Sequence, residues 1–95
     1  MIAVARFEVP LGSAGDFRRE LEGVRDVLAE AAGFLGGEVG QNLDEPTLWV
    51  LTTRWENVGS YRRALSSTRA KLEAIPILAR AIDEAGAYEE RLSRG

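Results

Sequence analysis

The stretch Thr47 to Ser67, TLWVLTTRWENVGSYRRALSS, constrains the fold most, because a strictly alternating strand ends in Trp55 and passes through Asn57 directly into an amphipathic helix. Successive side chains leave a strand on opposite faces, so Trp49, Leu51, Thr53 and Trp55 point one way and Leu48, Val50, Thr52 and Arg54 the other. Asn57 can accept a hydrogen bond from a free amide at the start of a helix, and Val58, Tyr61 and Leu65 follow on one helical face. A chain of 95 residues has room for one such junction, one sheet and a few helices, so a single domain over 1–95 is expected.

The remaining elements follow from the same kinds of signal. Ile2 to Val9 is rich in β-formers and is stopped by Pro10-Leu11-Gly12. Ser13 with Asp16 three positions on resembles a capping box ahead of the stripe Phe17, Leu21, Val24 and Leu28, which predicts a first helix with one apolar face. Gly33 is expected as a left-handed cap of that helix, with Phe34 folding back onto its last turn. A second strand is predicted from Phe34 to Leu43, and its Gly36, Gly37 and Gly40 suggest a bulge or the close approach of another backbone. Asp44-Glu45-Pro46 turns the chain into the third strand, Leu48 to Glu56. Beyond the second helix, Ser66-Ser67-Thr68 loosens the chain, and Arg69 to Ile82 is predicted helical in two pieces divided by Pro76. Ala85 to Leu92 is predicted as a last strand, with Ser93-Arg94-Gly95 frayed. The order β-α-β-β-α-β predicts an α+β, ferredoxin-like sandwich with helices on one face of an antiparallel sheet ordered 4-1-3-2.

If the tryptophan side of the third strand faces the helices, Ala3, Ala5, Phe7 and Val9 of the first strand join it. The other face then carries Ile2, Val4, Arg6, Glu8, Leu48, Val50, Thr52 and Arg54. That mixture is too apolar for water and too charged for a dry core, which suits an interface between two identical sheets, so a homodimer is expected.

Composition removes several chemistries. Without cysteine there are no disulfides, thiolate nucleophiles or zinc-thiolate and iron-sulfur sites, and without histidine the commonest general base and metal ligand is missing. Twelve basic and fifteen acidic residues are interleaved along the chain, which argues against a nucleic-acid partner. No apolar run reaches the roughly 20 residues of a membrane span, and MIAVARFEV lacks the pattern of a secretory leader, so a cytoplasmic chain without a membrane partner is expected.

The successions GFLGGEVGQNLDEPTLWVLTTRWENVGSYRRALSS and IPILARAIDEAGAYEERL resemble the antibiotic biosynthesis monooxygenase domain family over nearly the whole chain. The resemblance rests on Gly33-Phe34, the Trp55-Glu56 strand end, Tyr61 and the Pro76 segment. It implies a small dimeric ferredoxin-like protein of the dimeric α+β barrel kind. Members include cofactor-independent monooxygenases that oxidise polycyclic aromatic polyketides to quinones, haem-degrading enzymes and quinol oxygenases, so the fold alone does not name a reaction.

The haem-degrading pattern combines a strand-one asparagine, a tryptophan at the end of strand three and an iron-ligating histidine on the next helix. Here Trp55 matches, but Ala5 and Leu65 stand near the other two positions, and a chain without histidine cannot ligate haem iron in that way. The quinone-forming branch implies a pocket of tryptophan, tyrosine, asparagine and arginine, onto which Trp55, Tyr61, Asn57 and Arg80 map.

The expected activity is therefore a cofactor-independent monooxygenase acting on a small aromatic or polyketide-like ligand, with no cofactor and no metal. Trp55, Tyr61 and Asn57 are the candidate catalytic residues, and Thr53, Phe7 and Arg80 the candidate substrate contacts. Such a protein favours a substrate phenolate or enolate with hydrogen-bond donors and excludes water. The alternative is a dimeric ferredoxin-like protein that binds a small ligand without oxidising it, or has no catalytic role at all. Glu8, Glu56 and Glu90 could serve as bases only if buried beside the site.

Overall fold

The computed structural model describes residues 1–91. Strands β1 (Ile2–Glu8), β2 (Phe34–Gln41), β3 (Leu48–Trp55) and β4 (Ala87–Tyr88) form one antiparallel sheet in the order β2-β3-β1-β4, the order expected. Helices α1 (Ala14–Leu28), α2 (Val58–Leu65), α3 (Thr68–Glu73) and α4 (Ile75–Leu78) complete the α+β, ferredoxin-like architecture. The sheet is open and does not close into a barrel within one chain.

The register of β1 on β3 opposes Ala3 to Thr53, Ala5 to Leu51 and Phe7 to Trp49, which puts the apolar set of both strands on the helix side. Phe7, Trp49, Leu51, Thr53 and Trp55 are buried there with Phe17, Leu21, Val24 and Leu28 of α1. On the opposite face Ile2, Val4, Leu48, Val50 and Thr52 are half-buried, while Arg6, Glu8, Glu38 and Arg54 are exposed.

Several local expectations are corrected. Ser13 makes no capping hydrogen bond, because it belongs to a short 3-10 turn (Leu11–Ser13) that leads into α1, and Asp16 pairs instead with Arg19. Helix α1 ends at Leu28, so Gly33 is not its immediate cap; its φ of +89° opens β2 instead. Phe34 then meets the edge of Trp55. The β2 bulge is present between Phe34 and Gly36, but the strand stops at Gln41, because Asn42 Oδ1 accepts hydrogen bonds from the amides of Asp44 and Glu45 and bends the chain.

Asn57 caps α2 as predicted, accepting from Ser60 N at 2.8 Å. Ser67 does more than loosen the chain: its hydroxyl accepts from Ala70 N and starts α3. Pro76 stands in the first turn of α4, where its missing N–H would have no helical partner, so the break falls before it at Ala74.

The last strand is the largest departure, two residues where eight are predicted. Residues 82–88 do run along β1, with Ile82 N donating to Arg6 O and Val4 N to Gly86 O. A β-carbon on Gly86 would lie 2.4 Å from Val4 O, so this close approach requires glycine. Beyond Tyr88 the exposed Glu89, Glu90 and Arg91 have no apolar alternation to hold a ladder against the core. Leu92 and the fraying expected at Ser93-Arg94-Gly95 lie outside the described residues.

Candidate active site

The end of β3 and the first turns of α2 bring three of the expected residues together. Trp55 closes β3 with its indole on the helix side, where it meets Phe34 at 5.2 Å between ring centroids and Tyr61 at 5.7 Å. Its Nε1–H donates to Thr53 Oγ1 at 2.9 Å; residues two apart on a strand share a face, so the bond needs no distortion of the backbone. With only 1% of its surface exposed, Trp55 has no free face on which a ligand ring could stack. Asn57 sits beside this cluster, but its Oδ1 is occupied by both the amide and the hydroxyl of Ser60.

Tyr61 projects from the second turn of α2 into a concavity between the sheet and the helices. An inner recess of about 60 Å³ is lined by Ala3, Ala5, Leu28, Leu51, Thr53, Tyr61 and Leu78. It adjoins a groove of about 430 Å³ whose walls are Val4 and Ala5 of β1, Tyr61 and Leu65 of α2, Ile75, Leu78 and Ala79 around α4, and Ala81, Ile82 and Gly86 of the following segment. Val4, Ala5, Tyr61, Leu78 and Gly86 line both, which places the tyrosine where recess and groove meet. Burial raises the Tyr61 phenol above its ordinary value of 10.0, so near neutral pH it is a hydrogen-bond donor and not a base.

Acidic groups are scarce around this concavity. Glu84 stands at the rim, held by paired hydrogen bonds of 2.7 Å from Arg6, which keep its carboxyl below its ordinary value of 4.5. Glu8, Glu56 and Glu90, considered above as bases if buried, are all exposed. Among the described residues no group of three or more acidic side chains could hold a metal ion, and no helix is long and apolar enough to cross a membrane.

Phe7 and Arg80 lie at the other end of the core. Phe7 packs on Phe17 at 5.2 Å, and the Arg80 guanidinium sits 5.2 Å over the Phe17 ring while bonding Glu20 at 3.0 Å. Neither lines the recess or the groove. The residues not anticipated as part of a site are Ile75, Leu78, Ala81 and Ile82. Their signal in the sequence was an apolar run broken by Pro76, which a strand-and-helix reading assigns to packing.

Solved structures share this fold. A point variant of SnoaB, a cofactor-independent oxygenase from Streptomyces nogalater, superposes with a TM-score of 0.82 at 22% identity, over 98% of this chain and 94% of that one. A conserved protein from Methanosarcina mazei Go1 gives 0.75 at 19% identity over 95% and 91%. A Mycobacterium tuberculosis protein gives 0.74 at 12% identity over 99% and 97%. At such identities the likeness is one of fold. No curated protein matches the chain. The family model for antibiotic biosynthesis monooxygenase matches residues 1–72, from β1 into α3, which takes in the whole Trp55–Tyr61 junction and leaves the α4 wall of the groove outside. The chain belongs to the antibiotic biosynthesis monooxygenase family.

Proposed function

We propose that the chain is a cofactor-independent monooxygenase whose substrate, a small aromatic or polyketide-like molecule, lies in the groove beside Tyr61. The observation that carries this reading is the groove itself: about 430 Å³, walled mainly by apolar residues with Glu84 at the rim, and reached by one neutral phenol. That is the size and character of a site for a ligand of a few fused rings.

Oxygenation of this kind asks little of the protein. A hydroxyanthrone-like substrate ionises to an enolate that gives electrons to dioxygen; one oxygen atom replaces the two hydrogens of the ring methylene as a carbonyl, and the other leaves as water. The Tyr61 hydroxyl favours the anion by donating to it, and the apolar walls exclude water. With no histidine in the chain and Glu84 held by Arg6, the groove offers no strong base, so the substrate must be acidic enough to ionise readily.

The same observation favours a second reading, a binder that holds a similar ligand without oxidising it. Both readings include a homodimer formed through the outer face of the sheet, supported by half-buried Val4, Leu48 and Val50 among exposed Arg6, Glu8 and Arg54.

Oxygen uptake with a hydroxyanthrone substrate tests the proposal. The expected result is one dioxygen consumed per quinone formed without added cofactor, lost in Ala5→Leu, whose larger side chain fills the junction of recess and groove. Binding without uptake supports the second reading, and absence of binding overturns both.

A further inference from the structure

The geometry points to Thr53 as the donor that grips a ligand oxygen in the inner recess adjoining the groove, with Trp55 as the positioning residue that aims it. This rests on the groove being a ligand site, as proposed above.

A threonine hydroxyl has one proton to give and two lone pairs to receive, whereas an indole N–H can only donate. The 2.9 Å contact from Trp55 Nε1 to Thr53 Oγ1 therefore fixes the hydroxyl as acceptor on that side and directs its proton elsewhere. Thr53 is 2% exposed and lines the inner recess, where the neighbouring side chains Ala3, Ala5, Leu28, Leu51 and Leu78 are apolar. Thr53 and Tyr61 are thus the two hydroxyl-bearing residues that line the recess, in a setting that offers no charge to compete for them. Trp55 is itself fixed by Phe34 and Tyr61, so the orientation of the Thr53 hydroxyl is set before any ligand arrives.

The chemistry selected is a planar aromatic ligand whose buried edge carries a carbonyl, phenolate or enolate oxygen. A bare hydrocarbon gains nothing from the two donors and leaves them unpaired, and an ammonium finds no carboxylate in the recess. Trp55 contributes through Thr53, although no part of it need touch the ligand.

Two visible or fluorescent probes, 1,8-dihydroxyanthraquinone and anthracene, titrated into the full chain decide the matter. Wild type is expected to prefer the quinone. Thr53→Val, which keeps the shape and removes the hydroxyl, should weaken quinone binding about tenfold, the loss of one hydrogen bond, and leave anthracene binding in place. Thr53→Ser should restore most of the loss. Trp55→Phe should weaken the quinone alone and raise the pKa of its bound phenol, read from its colour change, because a misaimed donor no longer favours the anion. Should Thr53→Val fold poorly with the indole unpaired, the double variant Thr53→Val/Trp55→Phe removes donor and acceptor together and carries the same expectation. Quinone affinity and bound-phenol pKa unchanged in these variants, or a wild type that binds both probes alike, would overturn the inference and leave the groove standing. A wild type that binds neither probe would overturn the groove and this inference with it.

Discussion

Gly33 lies with its α-carbon against Ser60: a β-carbon there would fall 2.3 Å from Ser60 Oγ and 2.5 Å from Ser60 Cβ. The contact ties the entry of β2 to the first turn of α2, and Glu56 N donating to Gly33 O at 2.9 Å ties it to the end of β3 as well. A left-handed φ and a buried neighbour thus demand glycine together. Gly33→Ala is expected to destabilise the fold by about 2–4 kcal/mol, part backbone strain and part collision. Urea unfolding would show it as a lower midpoint. In a double-mutant cycle Ser60→Gly should recover the collision part and not the strain.

The two tryptophans are buried alike but bonded differently. Trp55 Nε1 is paired with Thr53, whereas Trp49 Nε1 is buried and has no hydrogen-bond partner among the described residues. Replacement by phenylalanine removes similar apolar area at both sites, so the difference between the variants reports the two indole N–H groups, one bonded and one unpaired. Trp55→Phe should cost more than Trp49→Phe by about 1 kcal/mol. Equal midpoints would mean that the bonded N–H contributes no more to stability than the unpaired one.

The fold was legible from periodicity. Trp49, Leu51, Thr53 and Trp55 alternate without interruption, and Phe17, Leu21, Val24 and Leu28 repeat at helical spacing, so the core faces of β3 and α1 could be read directly. What escaped was set by tertiary contact. Gly86 marks where the chain presses on Val4 just before the two paired residues of β4, and Ser13 lost its capping role to a 3-10 turn that no local spacing announces. The junction of Trp55, Thr53 and Tyr61 was visible as a cluster of chemistry-bearing residues. The removal of Phe7 and Arg80 to the Phe17 end was not, because it depends on strand register and on where α4 releases the chain.

Tyr61 makes stability depend on pH in a defined direction. Its buried phenol has a folded pKa above the ordinary 10.0, so the folded state holds the proton more tightly than the unfolded chain does. The contribution is fully present below the unfolded pKa and is lost as pH rises through the higher folded one. Thermal unfolding between pH 9 and pH 11 should therefore show wild type losing stability more steeply than Tyr61→Phe. Parallel curves would place the phenol in water.

The outer sheet face carries the last prediction. Val50 opposes Arg6 in the β1–β3 ladder, and the half-buried Val4 and Leu48 surround that pair on the face of the sheet that, among the described residues, is turned away from the buried core. Left in water, this apolar area gains nothing from the fold, whereas a second copy related by a two-fold axis would cover it and bring Arg6, Glu8, Arg54 and Glu38 within reach of opposite charges. Arg54 already lies 3.7 Å from Glu38 within one chain, and both stay exposed, so their charges remain available across such an interface. Val50→Glu would place two like charges near the centre of that interface, at a cost of several kcal/mol, while leaving the helix-side core untouched. Sedimentation at micromolar concentration should find wild type dimeric and Val50→Glu monomeric, with the same far-ultraviolet spectrum. A folded wild-type monomer under those conditions would leave the apolar outer face without a partner of its own kind.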